Sequence, residues 1–109
     1  MSDLKPIGVK APLNLLPFGP LGAIAGVMEH GAVKYAPWNW QDGDQPQAEM
    51  DELIAAMLRH AVAVADPSVS DIDEESGLHH VAHIGCGSMI YLWKAGVGYT
   101  PSRLMEVAK

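Results

Sequence analysis

The sequence predicts an all-α fold, a compact bundle of about four helices behind an extended N-terminal arm. Three observations predict it. Apolar residues recur at helical spacing through two long segments, strand signals are nearly absent, and proline- and glycine-rich stretches punctuate the periodic runs. At 109 residues there is room for one hydrophobic core, so residues 1–109 read as a single domain.

The elements follow in order. Pro6, Pro12, Pro17 and several glycines mark residues 1–18 as the extended arm. A first helix is expected from about Pro20 to Tyr35, with Leu21, Ile24, Val27, Met28 and Ala32 on one face and Pro20 in its first turn. The segment KYAPWNWQDGDQP then reads as a loop. From about Pro46 to Ala65, Met50, Leu53, Ile54, Met57, Leu58, Ala61 and Val64 fall at i, i+3, i+4 intervals, which predicts a second helix ended by Asp66-Pro67. A third helix is expected from near Glu74 to about Lys94, before Gly96 and Gly98, packed through Val81, Ala82, Ile84, Met89 and Ile90. A short fourth helix, Pro101 to Val107, would take Thr100 as its N-cap.

Composition narrows the function. Hydrophobic residues make up 49% of the chain and charged residues 18%, too apolar a balance for a disordered segment. With a net charge of −6 and seven Lys and Arg, no basic stripe exists for polymeric nucleic acid. A small anion is a feasible ligand if divalent cations supply positive charge. The lone Cys86 suits a reducing cytoplasm, and neither a membrane-spanning run nor a signal-peptide core is evident. So small a core also favours association of copies.

Chemistry concentrates on two helices. Glu49, Glu52, Ala56 and His60 lie on one stripe of the second helix, His80 and His83 are i, i+3 neighbours on the third, and Glu75, His79 and His83 form a further i, i+4, i+8 row. Two antiparallel helices would turn these groups into a shared cleft, as divalent-metal sites in bundles do. Carboxylates favour magnesium or manganese, and imidazoles extend the range to iron or zinc. The bland alternative is solvated carboxylates and structural histidines. A zinc site joining Cys86 to His80 and His83 is disfavoured, because i, i+3, i+6 drifts around a helix and no second cysteine exists. A second candidate is HGAVKYAPWNW, where Lys34 stands among Tyr35, Trp38, Asn39 and Trp40: a phosphate contact, stacking faces and an amide for a base edge. Arg59 adds a second cation. The alternatives are tryptophans capping the bundle, a solvated Lys34, and an Arg59 paired with Glu52 or Glu75.

Taken together, GAVKYAPWNW, MLRHAVAV and DEESGLHHVAHIGCG resemble a phage family of dATP/dGTP diphosphohydrolases, related to the MazG-like all-α nucleotide pyrophosphohydrolases. The family pattern falls on Gly31, Ala32, Lys34, Tyr35, Asn39, Trp40, Arg59, His60, Asp73, Glu75, Ser76, Gly77, His80 and His83, and the likeness covers roughly residues 10 to 94. The resemblance is strongest to the MazG-like enzymes of phages that replace adenine by 2-aminoadenine, which implies dGTP as substrate. It further implies two or three Mg²⁺ or Mn²⁺ ions, held by a subset of Glu49, Glu52, His60, Asp73, Glu75, His80 and His83. Glu52, Glu75 and His83 are the expected catalytic groups. Lys34, Tyr35, Asn39, Trp40, Arg59 and His79 are the expected substrate contacts, and a homodimer or homotetramer is the expected assembly. One departure stands out: the wider superfamily uses Glu-x-x-Glu and Glu-x-x-Asp. Glu49-x-x-Glu52 fits the first half, whereas the second is His80-x-x-His83 with Asp73, Glu74 and Glu75 just upstream, so either the imidazoles replace those carboxylates or the upstream acids supply them. An HD-type triphosphohydrolase and a non-catalytic helical module are the rival readings.

Overall fold

A computed structural model describes residues 10–41 and 46–104, and their architecture is all-α. Three helices carry it: α1 (Phe18–Lys34), α2 (Pro46–Ala65) and α3 (His80–Lys94). Among the described residues there is no strand, only an isolated antiparallel bridge between Ile72 and His79. No described helix is long and apolar enough to cross a membrane.

Helix α3 is the spine, packing on α2 along one side and on α1 along the other. Its sequence Gly85-Cys86-Gly87 explains how. A Cβ on Gly85 would come within 2.6 Å of Ile24 of α1, and one on Gly87 within 2.9 Å of Met57 of α2. Two bare backbone positions therefore let both neighbours approach, with Cys86 buried between them. Val27, Ala82 and Cys86 form the buried centre, flanked by Ile24, Met28, Leu78 and Ile90. Val81 and Met89, expected in this packing, are about half exposed.

Helix α2 has the expected bounds, and α1 starts two residues earlier than expected, with Pro17 as its N-cap. At the end of α3, Gly96 takes a left-handed φ of 73°. Its amide donates to Trp93 and that of Val97 to Leu92, so the last carbonyls are satisfied as the glycine signal predicts. Helix α3 begins later than expected, at His80 instead of near Glu74. The reason is local. Asp73 accepts the Ser76 amide at 2.9 Å on its carboxylate and the Gly77 amide at 2.8 Å on its carbonyl, while Gly77 is left-handed at φ 73°. The chain doubles back, and Asp73, Glu74 and Glu75 lie in a turn. The row Glu75, His79, His83 is therefore not a helical row.

Of the arm, residues 1–9 lie outside the described residues, and Leu13–Leu15 forms an exposed 3-10 turn. Part of the loop after α1 is also ordered as a 3-10 turn, Asn39–Gln41. Most of the expected fourth helix, from residue 105, lies outside the described residues. Its described part, Arg103 and Leu104, is helical, and Ser102 caps it through the Leu104 amide, in place of Thr100.

Candidate active site

The end of α2, the Asp73 turn and the start of α3 meet at one point. His60 and His80 face each other with their Nδ1 atoms 2.9 Å apart. One nitrogen must donate and the other accept, so a single proton lies between two potential ligands. Asp73 completes a trio whose ligand atoms all lie within 4.8 Å of one another. His80 is buried, and burial, followed by the charge of His80, pushes the pKa of His60 down against the opposing pull of Asp73. The Ser76 amide holds the Asp73 carboxyl below its ordinary range.

His83 stacks flat on His60, with ring centroids 4.5 Å apart and planes 11° from parallel. Its Nε2 lies 2.7 Å from the Ser76 hydroxyl and 3.9 Å from Asp73, so its close partner is the serine. Burial and then His60 lower its pKa. Ser76 is a site group that the sequence reading passed over except as part of its motif. The signal was the Ser-Gly pair before the histidines, which builds the turn that delivers both Asp73 and Ser76.

Of these groups His60, Asp73 and His83 open onto a cleft of about 960 Å3. One side carries Lys34, Tyr35, Trp38, Asn39 and Trp40, and the other Arg59, His60, Asp73, Glu75 and His83. Cys86, Met89, Ile90 and Trp93 line its apolar part. Lys34 bridges the sides through an ion pair with Glu75, which raises the lysine pKa and lowers that of the glutamate. His30, one turn before Lys34 on α1, stands 3.9 Å from the same carboxylate; it too was missed, although its i, i+4 spacing to Lys34 was visible.

Other expected site residues stand elsewhere. Glu49 is bonded to Lys94 at 2.7 Å, and Glu52 is exposed and 3.7 Å from Arg59. Along α2 they precede His60 by eleven and eight residues, about 16 and 12 Å of helix rise. They share a face with His60 without sharing a point. His79 caps α3, its Nδ1 accepting the Val81 amide at 3.0 Å, and lines a separate apolar groove with Ile24 and Ile84. Among the described residues the trio is the one cluster with metal-ligand geometry.

The helical domain thus gathers imidazoles and a carboxylate opposite two cations and an aromatic rim, between helices. The chain belongs to the dATP/dGTP diphosphohydrolase family expected from its motifs: a family model described as "dATP/dGTP diphosphohydrolase, N-terminal" matches residues 4–100. It is 34% identical over 84 residues to a protein of Salmonella phage PMBT28 named dATP/dGTP diphosphohydrolase. That alignment covers 77% of this chain and 27% of the relative, so the chain spans about a quarter of that protein's length. No solved structure matches the chain.

Proposed function

We propose that this chain is the hydrolytic domain of a metal-dependent pyrophosphohydrolase that adds water across the α–β anhydride of a purine deoxynucleoside triphosphate, dGTP foremost. The products are the monophosphate and pyrophosphate. The observation that carries the reading is convergence: two members of the ligand trio, His60 and Asp73, border one cleft of substrate size together with two cations and an aromatic rim, and His80 closes the trio from the buried side. The relative's name supplies the substrate class.

His60, Asp73 and His80 fit a divalent cation, because two facing imidazole nitrogens and a carboxylate released from one shared proton make three donors. When bound, Mg²⁺ or Mn²⁺ offsets phosphate charge and acidifies a coordinated water. Lys34 and Arg59 bind phosphate oxygens as charge develops on them. Both cations are held beforehand by exposed carboxylates, Glu75 and Glu52, pairings weak enough to be exchanged. His83, uncharged and on the cleft, holds or passes a proton at Nε2, where Ser76 fixes the ring. Tyr35, Asn39 and Trp40 hold the base or sugar. Glu49 and Glu52 serve a further cation only after leaving Lys94 and Arg59.

The trio also favours a second reading, since two imidazoles and an aspartate suit an HD-type enzyme that releases triphosphate. Incubation with each dNTP and Mg²⁺ or Mn²⁺, followed by chromatography, separates them: dGMP with pyrophosphate supports the proposal, deoxyguanosine with triphosphate the rival. A non-catalytic module would release neither. A ligand at about 100 times its Kd adds about 2.7 kcal/mol of stability, so absence of a thermal shift with Mn²⁺ and dGTP refutes binding altogether. We also infer pairing of two or four copies, supported by exposed Leu13, Leu15, Phe18, Val33, Leu58 and Val62 around a small buried centre. Light scattering coupled to gel filtration tests it, and a monomeric mass refutes it.

A further inference from the structure

We propose that Trp38 is the stacking platform for the nucleobase and the element that selects purines over pyrimidines; this deepens, and rests on, the nucleotide reading above. Its backbone carries the first argument. Ala36 to Asn39 forms a tight turn in which the Asn39 amide donates to the Ala36 carbonyl at 3.2 Å, Pro37 takes the second position and Trp38 the third. Trp38 has φ 61°, making it the one non-glycine residue with positive φ among the described residues. A turn with proline second and positive φ third is built for glycine or asparagine. A bulky side chain there is an outlier that the surrounding structure must hold in place.

Burial does not explain the tryptophan. The residue is 65% exposed, so the fold recovers little apolar burial from the largest of side chains. Yet the indole is not loose. It rests against Trp40 with centroids 5.6 Å apart at 49°, and Trp40 stands edge-on to Trp93 of α3 at 5.1 Å. A strained, exposed and buttressed ring on the border of the cleft gives the domain little of its own stability and offers a flat face to something outside the chain. In that cleft, with Lys34 and Arg59 set for phosphates and the Asn39 amide adjacent in sequence, the matching ligand is a planar heterocycle. A two-ring base covers more of the indole than a one-ring base, which is the source of selectivity.

The test uses α,β-imido analogues of dGTP and dTTP, which resist cleavage, and measures their equilibrium binding with Mg²⁺ to wild type, Trp38→Gly and Trp38→Phe. Trp38→Gly is expected to melt at a higher temperature, because glycine relieves the turn, and yet to bind the dGTP analogue about tenfold more weakly. The dTTP analogue should lose less than about threefold, and Trp38→Phe should recover most of the dGTP affinity. Unchanged binding of both analogues by Trp38→Gly, or equal losses on both, overturns the proposal while leaving the nucleotide reading intact. A wild type that binds neither analogue sinks that reading, and the proposal with it.

Discussion

The two ends of helix α2 bear titratable side chains on one stripe and end in different chemistry. At the N-terminal end, Glu49 and Glu52 meet Lys94 and Arg59, and each acid is matched by a cation. At the C-terminal end, His60 meets His80, His83 and Asp73, and the imidazoles and the carboxylate are partnered mainly with one another. The difference teaches that helical periodicity assigns a face and not a place. A stripe eleven residues long is about 16 Å long, and which part of it becomes a site depends on what the neighbouring elements bring. Here α3 brings a lysine to one end, while the Asp73 turn and the first residues of α3 bring ligands to the other.

Substitutions can break that contrast. The largest effect is expected at the histidine end: His80→Ala or Asp73→Asn should lower metal-dependent dGTP turnover by about 100-fold or more and abolish Mn²⁺ binding in calorimetry. Glu49→Gln should change turnover less than about threefold. Reversed results would move the ion to the acidic end. In stability the order inverts. Glu49→Gln leaves the largely covered Lys94 unpaired and should cost about 1–2 kcal/mol in urea unfolding. Glu52→Gln, whose partner is exposed and 3.7 Å away, should cost less than about 0.5 kcal/mol. Equal losses would erase the distinction between the two pairs.

Acid should sharpen it further. In the metal-free protein His60 and His83 have depressed pKa values, caused first by burial and then by facing imidazoles, with Asp73 opposing and Arg59 adding repulsion at His60. The unfolded chain therefore binds protons that the folded rings resist. The corresponding stability is complete above the unfolded value of about 6.5 and is lost as pH falls below it. Asp73, also depressed, adds a separate loss below about pH 4. The urea midpoint should fall between pH 7.5 and 5.5, and His60→Gln with His83→Gln should flatten the decline; an unchanged slope refutes the assignment. Among the groups of the histidine cluster the smallest effect is expected at Ser76→Ala, a few-fold fall in kcat with KM retained, because it frees a ring without removing it.

Much of this was legible in the chain. The i, i+3, i+4 run from Met50 to Val64 set both ends of α2, since its apolar face and the Asp66-Pro67 stop agree. The start of α3 was not legible, because three acids before a periodic run read as a first helical turn while Asp73 instead spends its oxygens on the amides of Ser76 and Gly77. For the site, residue types were readable and their partners were not. Lys94 was no visible match for Glu49, 45 residues away, until α2 and α3 were packed together. The strain at Trp38 left no trace in composition at all, for its positive φ shows only once the turn is built.

The Asp73–Leu78 turn carries a last consequence. Three amides, those of Asp73, Ser76 and Gly77, lock this short clip, and the clip alone supplies the carboxylate to the histidine cluster. The carboxylate can thus be gained or lost by the pocket without the unwinding of either helix that carries the histidines. Deuterium uptake at the Ser76 and Gly77 amides should slow sharply on loading with ion and nucleotide, while the helical amides of α2 keep their pace.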